Sequence, residues 1–470
     1  MSQPEEVEAP GSQGAMPAEF GLPTATFLIV ASMVGVGVLT TSGFTVANVG
    51  SNQLMLWLWV LGGVVAACGA LTLCELTAAM PRTGGDYVYL HEAYGPLVAF
   101  LSGWVSFLIG FAAPAASAAF GSAKYLTAPL NLEPNVAGLS QRILATVLIL
   151  TFVAVHLTSR RQTARVQGLA TAVKLALLVA FMIAGLIAGR SGYSNLLDRP
   201  PIDWDRGVAM TFSLIYITYA YIGWNSASYL AGEFVDPQRQ LPRAILLGTL
   251  GVVVLYLGLN VVYALALSAA EVQGIARAKG FDAVAPIADL AARKLFSERW
   301  SAGLSVSVGL MLLSSLSAYT LTGPRVIYAM AVAGHFPSVA GRLTRRGRIP
   351  AVATWLQTLV TLAFLWVGTL ASLVEYAGIG LSIFSMMAIA SIYVLRWKRP
   401  DLPRPFRTPG YPFTPAVFLV VTAALTTAAF QQRPWISAYA ILSILSGIPV
   451  YHLFTRREAR PDATPPLARP

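Results

Sequence analysis

Lys174 is the side chain in this 470-residue chain best placed to do chemistry, because it stands well inside the apolar run Val166–Ile187. An ionisable group held within such a run is costly and marks an ion or substrate path, unless its long stem snorkels to the nearer interface. Two other stretches put glycine at the middle of apolar runs: Ser32-Met33-Val34-Gly35-Val36-Gly37, and Tyr221-Ile222-Gly223-Trp224-Asn225. Glycine weakens a helix, and inside hydrocarbon a broken helix is tolerated only where the freed backbone lines a cavity. Close helix packing through small residues gives the same pattern, so the glycines alone leave both readings open. The chemistry of such a break is nonetheless specific. A half-helix N-terminus offers N–H groups to a carboxylate, and a half-helix C-terminus offers carbonyls to an ammonium group. A zwitterion is thereby held without a charged side chain, and neither stretch contains one.

The elements that carry these residues are membrane spans. Hydrophobic residues make up 56% of the chain and charged residues only 11%, a deficit of charge relative to soluble domains. Twelve apolar runs are long enough to cross a bilayer: Leu22–Val46, Leu54–Ala79, Leu97–Phe120, Leu139–Leu157, Val166–Ile187, Val208–Leu230, Ala244–Ser268, Leu304–Val332, Ala353–Ala371, Val374–Leu395, Pro415–Phe430 and Ile436–Phe454. The expected fold class is therefore all-α integral membrane. The two glycine breaks fall in spans one and six. These are equivalent positions if residues 20–190 and 191–400 form two five-helix halves of inverted topology, followed by two C-terminal helices over 401–457. Interrupted spans at matching positions of two such halves point to a transporter's binding site. Residues 1–19 read as a cytoplasmic tail and the Pro-rich 458–470 as a disordered one. The longest connection, Ala269 to Gly303, reads as a short external helix over Ala285–Phe296 with polar flanks. With the N-terminus inside, the cytoplasmic segments hold nearly twice as many Lys and Arg as the opposite side. Both termini are expected in the cytoplasm of a cell-membrane protein.

The net charge of +11 follows from those loops and implies no nucleic acid partner. Met1 to Glu19 carries four glutamates and no basic residue, the reverse of a signal sequence. Cys68 and Cys74 share one apolar run and read as filler. Glu75, at the cytoplasmic end of span two, reads equally as a gate ion pair or a solvated helix-end carboxylate. His156 and His335 read as structural residues near interfaces. No phosphate loop, metal-ligand cluster or Ser-His-Asp order is present, so no cofactor or metal is expected. A membrane-embedded enzyme would collect His, Asp or Glu at one depth, and a channel would show polar rings; the spans offer neither.

Several segments resemble the amino acid–polyamine–organocation superfamily, most closely its L-type amino acid transporter branch. They are Pro81-Arg82-Thr83-Gly84-Gly85-Asp86-Tyr87-Val88-Tyr89; Gly223-Trp224-Asn225 with Glu233, Asp236-Pro237 and Leu241-Pro242-Arg243-Ala244-Ile245; Arg325-Val326-Ile327-Tyr328 with Gly334-His335-Phe336-Pro337; and Arg399-Pro400-Asp401-Leu402-Pro403-Arg404-Pro405-Phe406-Arg407. The resemblance implies a leucine-transporter-like fold with alternating access and a substrate held between spans one and six. It places Met33, Val34, Gly35, Val36 and Gly37 at the substrate, with Tyr219 as aromatic gate, the carbonyls of Tyr219, Ala220 and Ile222 on the amine, and Asn225 beside the pocket. It matches Lys174 to a lysine that replaces sodium in this branch, bridging the first break to a polar residue of span eight, with Ser314 and Ser317 as candidates. Sodium-independent exchange would follow, or proton coupling if Lys174 releases its proton in the cycle. This sequence has Ile222 where the family often has glycine, which fills pocket volume and favours small neutral amino acids. A cationic amino acid or polyamine carrier is the nearest alternative, and it would want acidic residues in the pocket. Neither cysteine lies in an external loop, so no covalently linked accessory subunit is expected.

Overall fold

Apolar runs and the residues that interrupt them decide where this chain turns, and the computed structural model follows them closely. It describes residues 16, 18–35, 37–130, 133–198, 204–284, 286–296, 301–345, 348–367, 370–432 and 434–458. In chain order its helices are α1 (Leu22–Met33), α2 (Gly37–Val49), α3 (Asn52–Ala79), α4 (Asp86–Tyr94), α5 (Pro96–Val105), α6 (Ala113–Thr127), α7 (Pro134–Thr158), α8 (Arg160–Ala188) and α9 (Trp204–Ala220). There follow α10 (Pro237–Ala266), α11 (Ala269–Lys279), α12 (Ile287–Phe296), α13 (Ser301–Val332), α14 (Ala351–Val367), α15 (Leu370–Lys398), α16 (Phe413–Gln432) and α17 (Pro434–Glu458). The chain is all-α: among the described residues the only β pairing is an isolated bridge between Phe20 and Phe234.

Ten segments among the described residues are long and apolar enough to cross a membrane, and two shorter apolar helices, Gly207–Ala220 and Ala351–Val367, complete the twelve expected passes. Their ends carry ordinary start signals. The Ser51 hydroxyl accepts from Leu54 N at the head of α3, and that of Ser159 accepts from Gln162 N at the head of α8. Span three is α5 and α6 joined by a π-helical segment, Ser106–Ala112. Pro114 follows directly, and its missing N–H loosens the regular ladder there.

The structure departs from the sequence expectations in three places. Span six is not one helix to Leu230. α9 stops at Ala220, and the chain resumes as 3₁₀ turns over Ser226–Glu233. The long connection holds two helices rather than one, because Ser268 and Glu271 form a capping box that starts α11. Glu271 also pairs with Lys294 of α12. Finally, the expectations for tail residues 1–15 and 459–470, and for Val36, fall outside the described residues.

Candidate functional site

The two broken spans touch at their breaks. A Cβ on Gly37 would lie 2.8 Å from the Cα of Ala220, and one on Gly223 would lie 2.8 Å from the carbonyl carbon of Ser32. Gly223 also has φ +121, a conformation that side chains rarely adopt. The glycines therefore serve close packing and the break at once, and the two readings left open by the sequence are not exclusive.

Every carbonyl freed at the end of α1 finds a donor from another span. Tyr319 of α13 donates to Ser32 O at 2.9 Å, and Tyr256 of α10 donates to Met33 O at 2.7 Å. Lys174 Nζ donates to Ala31 O at 3.2 Å and to Val34 O at 2.5 Å, and contacts Ser315 Oγ at 2.8 Å. Lys174 is 1% exposed, so it does not snorkel. Its ammonium sits where a half-helix C-terminus concentrates negative partial charge, which offsets the burial of a cation that has no carboxylate beside it.

The partner in span eight is Ser315, not Ser314 or Ser317. Each residue along a helix turns by about 100°, so neighbouring serines face different spans. Ser314 pairs with Thr171 of α8 at 3.1 Å, and Ser317 takes a hydrogen bond with His156 at 3.0 Å. His156 is itself 3% exposed and also bonded to Thr163, a buried histidine with both ring nitrogens satisfied.

Between the breaks lies a cavity of about 70 Å³. Of the site residues expected from the sequence, Met33, Gly35, Gly37, Tyr219, Ala220, Ile222 and Asn225 line it. Val34 does not, because its carbonyl is turned to Lys174. The Ala220 carbonyl lies 3.1 Å from the Tyr256 hydroxyl, whose single proton points to the nearer Met33 O or to Ala220 O but not to both, and the Tyr219 carbonyl accepts from Ile222 N. The wall also includes residues that the sequence did not reveal: Gly110, Phe111 and Ser117 of span three, Tyr229, Tyr319, and Ser385 of α15. The Gly110–Pro114 pair inside span three was the available signal. Among the described residues, none that lines this cavity is charged. Tyr219 and Ile222 also line a larger apolar cavity of about 260 Å³ between α9, α15 and α16, so these two side chains form the partition.

Two buried ion clusters tie separate elements together. Glu233, 0% exposed, accepts from Arg160 of α8 at 2.7 Å and from Arg325 of α13 at 3.0 Å. Its carbonyl accepts from the N–H groups of Glu19 and Phe20, which ties the start of span one to the end of span six. Glu75 is buried and bound by Arg396 at 2.7 Å and by Thr408 N at 2.7 Å, which decides for the ion pair over the solvated carboxylate.

A many-span helical protein with two abutting helix breaks around a small uncharged cavity has the architecture of a secondary transporter. A family model described as amino acid permease matches residues 20–446, and the chain belongs to that family. It is 30% identical to the large neutral amino acids transporter small subunit 2 of Mus musculus, over 96% of this chain and 84% of the relative. It is 29% identical to the Asc-type amino acid transporter 1 of Mus musculus, over 93% of this chain and 81% of the relative. The b(0,+)-type amino acid transporter 1 of Homo sapiens is 28% identical over 93% of this chain and 88% of its own length. These relatives place the chain with the L-type branch.

Proposed function

We propose that this permease moves small neutral amino acids across the cell membrane without sodium, by alternating access about the cavity between spans one and six. The observation that carries the reading is the cavity itself: two half-helix ends face it and no charged side chain lines it. The start of α2 suits a carboxylate and the end of α9 suits an ammonium group. A cationic amino acid or polyamine would need an acidic partner for its second charge, and the lining has none. Size agrees. At about 70 Å³ the cavity has room for only a few waters, which suits a small side chain better than a large one.

Two halves, 20–190 and 191–400, would supply the moving bundle and its scaffold. Lys174 takes the place of a sodium ion between them, and Tyr219 is the gate on the side of the larger cavity. The bias of basic residues supports an orientation with both termini, and the Glu233 and Glu75 clusters, on the cytoplasmic side. In that orientation the carrier would be closed to the cytoplasm.

Uptake by reconstituted protein tests this. Labelled alanine, serine, leucine, lysine and putrescine would be presented with and without sodium and with and without internal amino acid. Alanine and serine should accumulate in sodium-free buffer, and putrescine or lysine as the preferred substrate would overturn the assignment. Ile222 sets the upper size. Ile222→Gly should shift preference toward leucine-sized substrates by about 1–3 kcal/mol, roughly five- to 150-fold in relative kcat/KM. An unchanged substrate profile would show that the Ile222 side chain does not limit the pocket.

A further inference from the structure

Behind the cavity wall lies a carboxylate that does not itself line the cavity. Asp86 is the first residue of α4 and is 5% exposed. One of its oxygens, Oδ2, accepts from Asn225 Nδ2 at 2.9 Å and from the Tyr229 hydroxyl at 3.0 Å. Asn225 precedes the 3₁₀ turns of span six and Tyr229 lies within them, and both line the cavity. Asp86 thus holds the cavity's floor against the cytoplasmic helix.

Among the described residues no cation faces it. The titratable groups around Asp86 are Tyr229 of span six and Tyr89 of its own helix, with Cys74 of α3 behind Tyr89. The nearest basic residues in sequence are engaged elsewhere, Arg82 with Glu92 and His91 stacked on His335. Arg396 of α15 is held by Glu75. A buried carboxylate with hydrogen-bond donors but no counter-charge gains more from a proton than an exposed one does.

Resting on the amino acid transport reading, we propose that Asp86 is the proton-carrying residue of this transporter. It takes a proton from the cavity side while the floor is closed and gives it to cytosolic water when the floor opens. One proton therefore enters with each amino acid, and Asp86 returns ionised. Burial pushes the Asp86 carboxyl up to about 6, outweighing the two donors. Opened to water, it falls back to the ordinary value of about 4. The closed floor is therefore the form that binds the proton more tightly. Acid on the outer side loads it as pH falls through about 6, and a neutral cytosol unloads it.

The test uses full-length protein in proteoliposomes loaded with the pH dye pyranine at about pH 7.5, with labelled alanine outside. Lowering the outer pH from about 7.5 to about 5.5 should raise uptake more than about fivefold, and alanine should drive internal acidification. Asp86→Asn should lose both responses while alanine–alanine exchange, which needs no net proton, stays measurable. Asp86→Glu should recover the pH response. Alanine transport by the unmodified protein without acidification or acid stimulation overturns the proposal and leaves the transport reading standing. So does an Asp86→Asn protein that keeps its pH response. An Asp86→Asn protein that inserts but exchanges nothing also overturns it, because the carboxylate would then be a structural tie. Absence of both alanine uptake and exchange in the unmodified protein defeats the transport reading itself.

Discussion

Lys174→Ala should reduce alanine exchange by more than about tenfold while the protein still inserts and purifies normally. The ammonium joins α8 to the end of α1 and to Ser315 of α13, so it links the first break to elements that do not share its helix. Ser315 Oγ also lies 3.0 Å from both Ala31 O and Val34 O, but a hydroxyl has one proton to give. Without the lysine at least one buried carbonyl loses its donor, at a cost of about 1–3 kcal/mol. The half-helix C-terminus also loses the cation that opposes its partial charge. Lys174→Arg should not rescue, because a planar guanidinium is larger and the site is fully enclosed. The unmodified protein should exchange alanine equally well in sodium and in choline buffer. Sodium-dependent exchange, or full activity of the alanine variant, would take Lys174 out of the mechanism. This result is also separable from that of Asp86. Loss at Lys174 should fall on exchange and on net uptake alike, whereas loss at Asp86 should fall on the proton-coupled component.

The passes, the two breaks and the lysine were legible in the sequence because each is a local signal. Hydrophobic length marks a span, glycine at mid-depth marks a weak helix, and a lysine in an apolar run has few explanations. What was not legible is which side chains meet. Ser314, Ser315 and Ser317 all lie in one apolar run, and only the rotation of α13 against α8 and α1 decides that Ser315 meets Lys174. Span three gave no charged signature and only the Gly110–Pro114 pair as a hint, yet Phe111 and Ser117 wall the cavity because its π-helical segment and α6 pack along α13. Asp86 read as part of a loop motif. Its burial depends on Asn225 and Tyr229, more than a hundred positions away, folding over it. Family resemblance and local physics agreed where backbone breaks did the work, and both ran out where tertiary facing did.

The same limit applies to Glu233, whose acidic position after span six was visible but whose two arginines were not. Glu233→Gln should open the cytoplasmic side. The carboxylate is fully buried, and Arg160 and Arg325 are 4% and 3% exposed, so these charges are shielded from water. Three separate elements meet there: the end of span six, the start of α8 and the body of α13. Glutamine preserves the shape but removes the negative charge, leaving two buried cations facing each other. Breaking a buried pair from one side costs about 3–5 kcal/mol. Only the closed form bears that cost, because parting the elements lets water reach both guanidinium groups. The balance between closed and open should therefore move by at least about 100-fold toward open. The measurement uses a protein with Cys68 and Cys74 replaced and a single cysteine introduced at Ser226, on the cavity wall. Its labelling by a membrane-impermeant thiol reagent added to the cytoplasmic face of inside-out vesicles should rise more than tenfold in Glu233→Gln. Labelling from the other face should fall. Glu233→Asp keeps the charge on a shorter stem and should lie between the two. Equal cytoplasmic labelling with and without the carboxylate would show that the cluster only staples the fold. The barrier between cavity and cytoplasm would then have to be Tyr229 and Asn225 on Asp86.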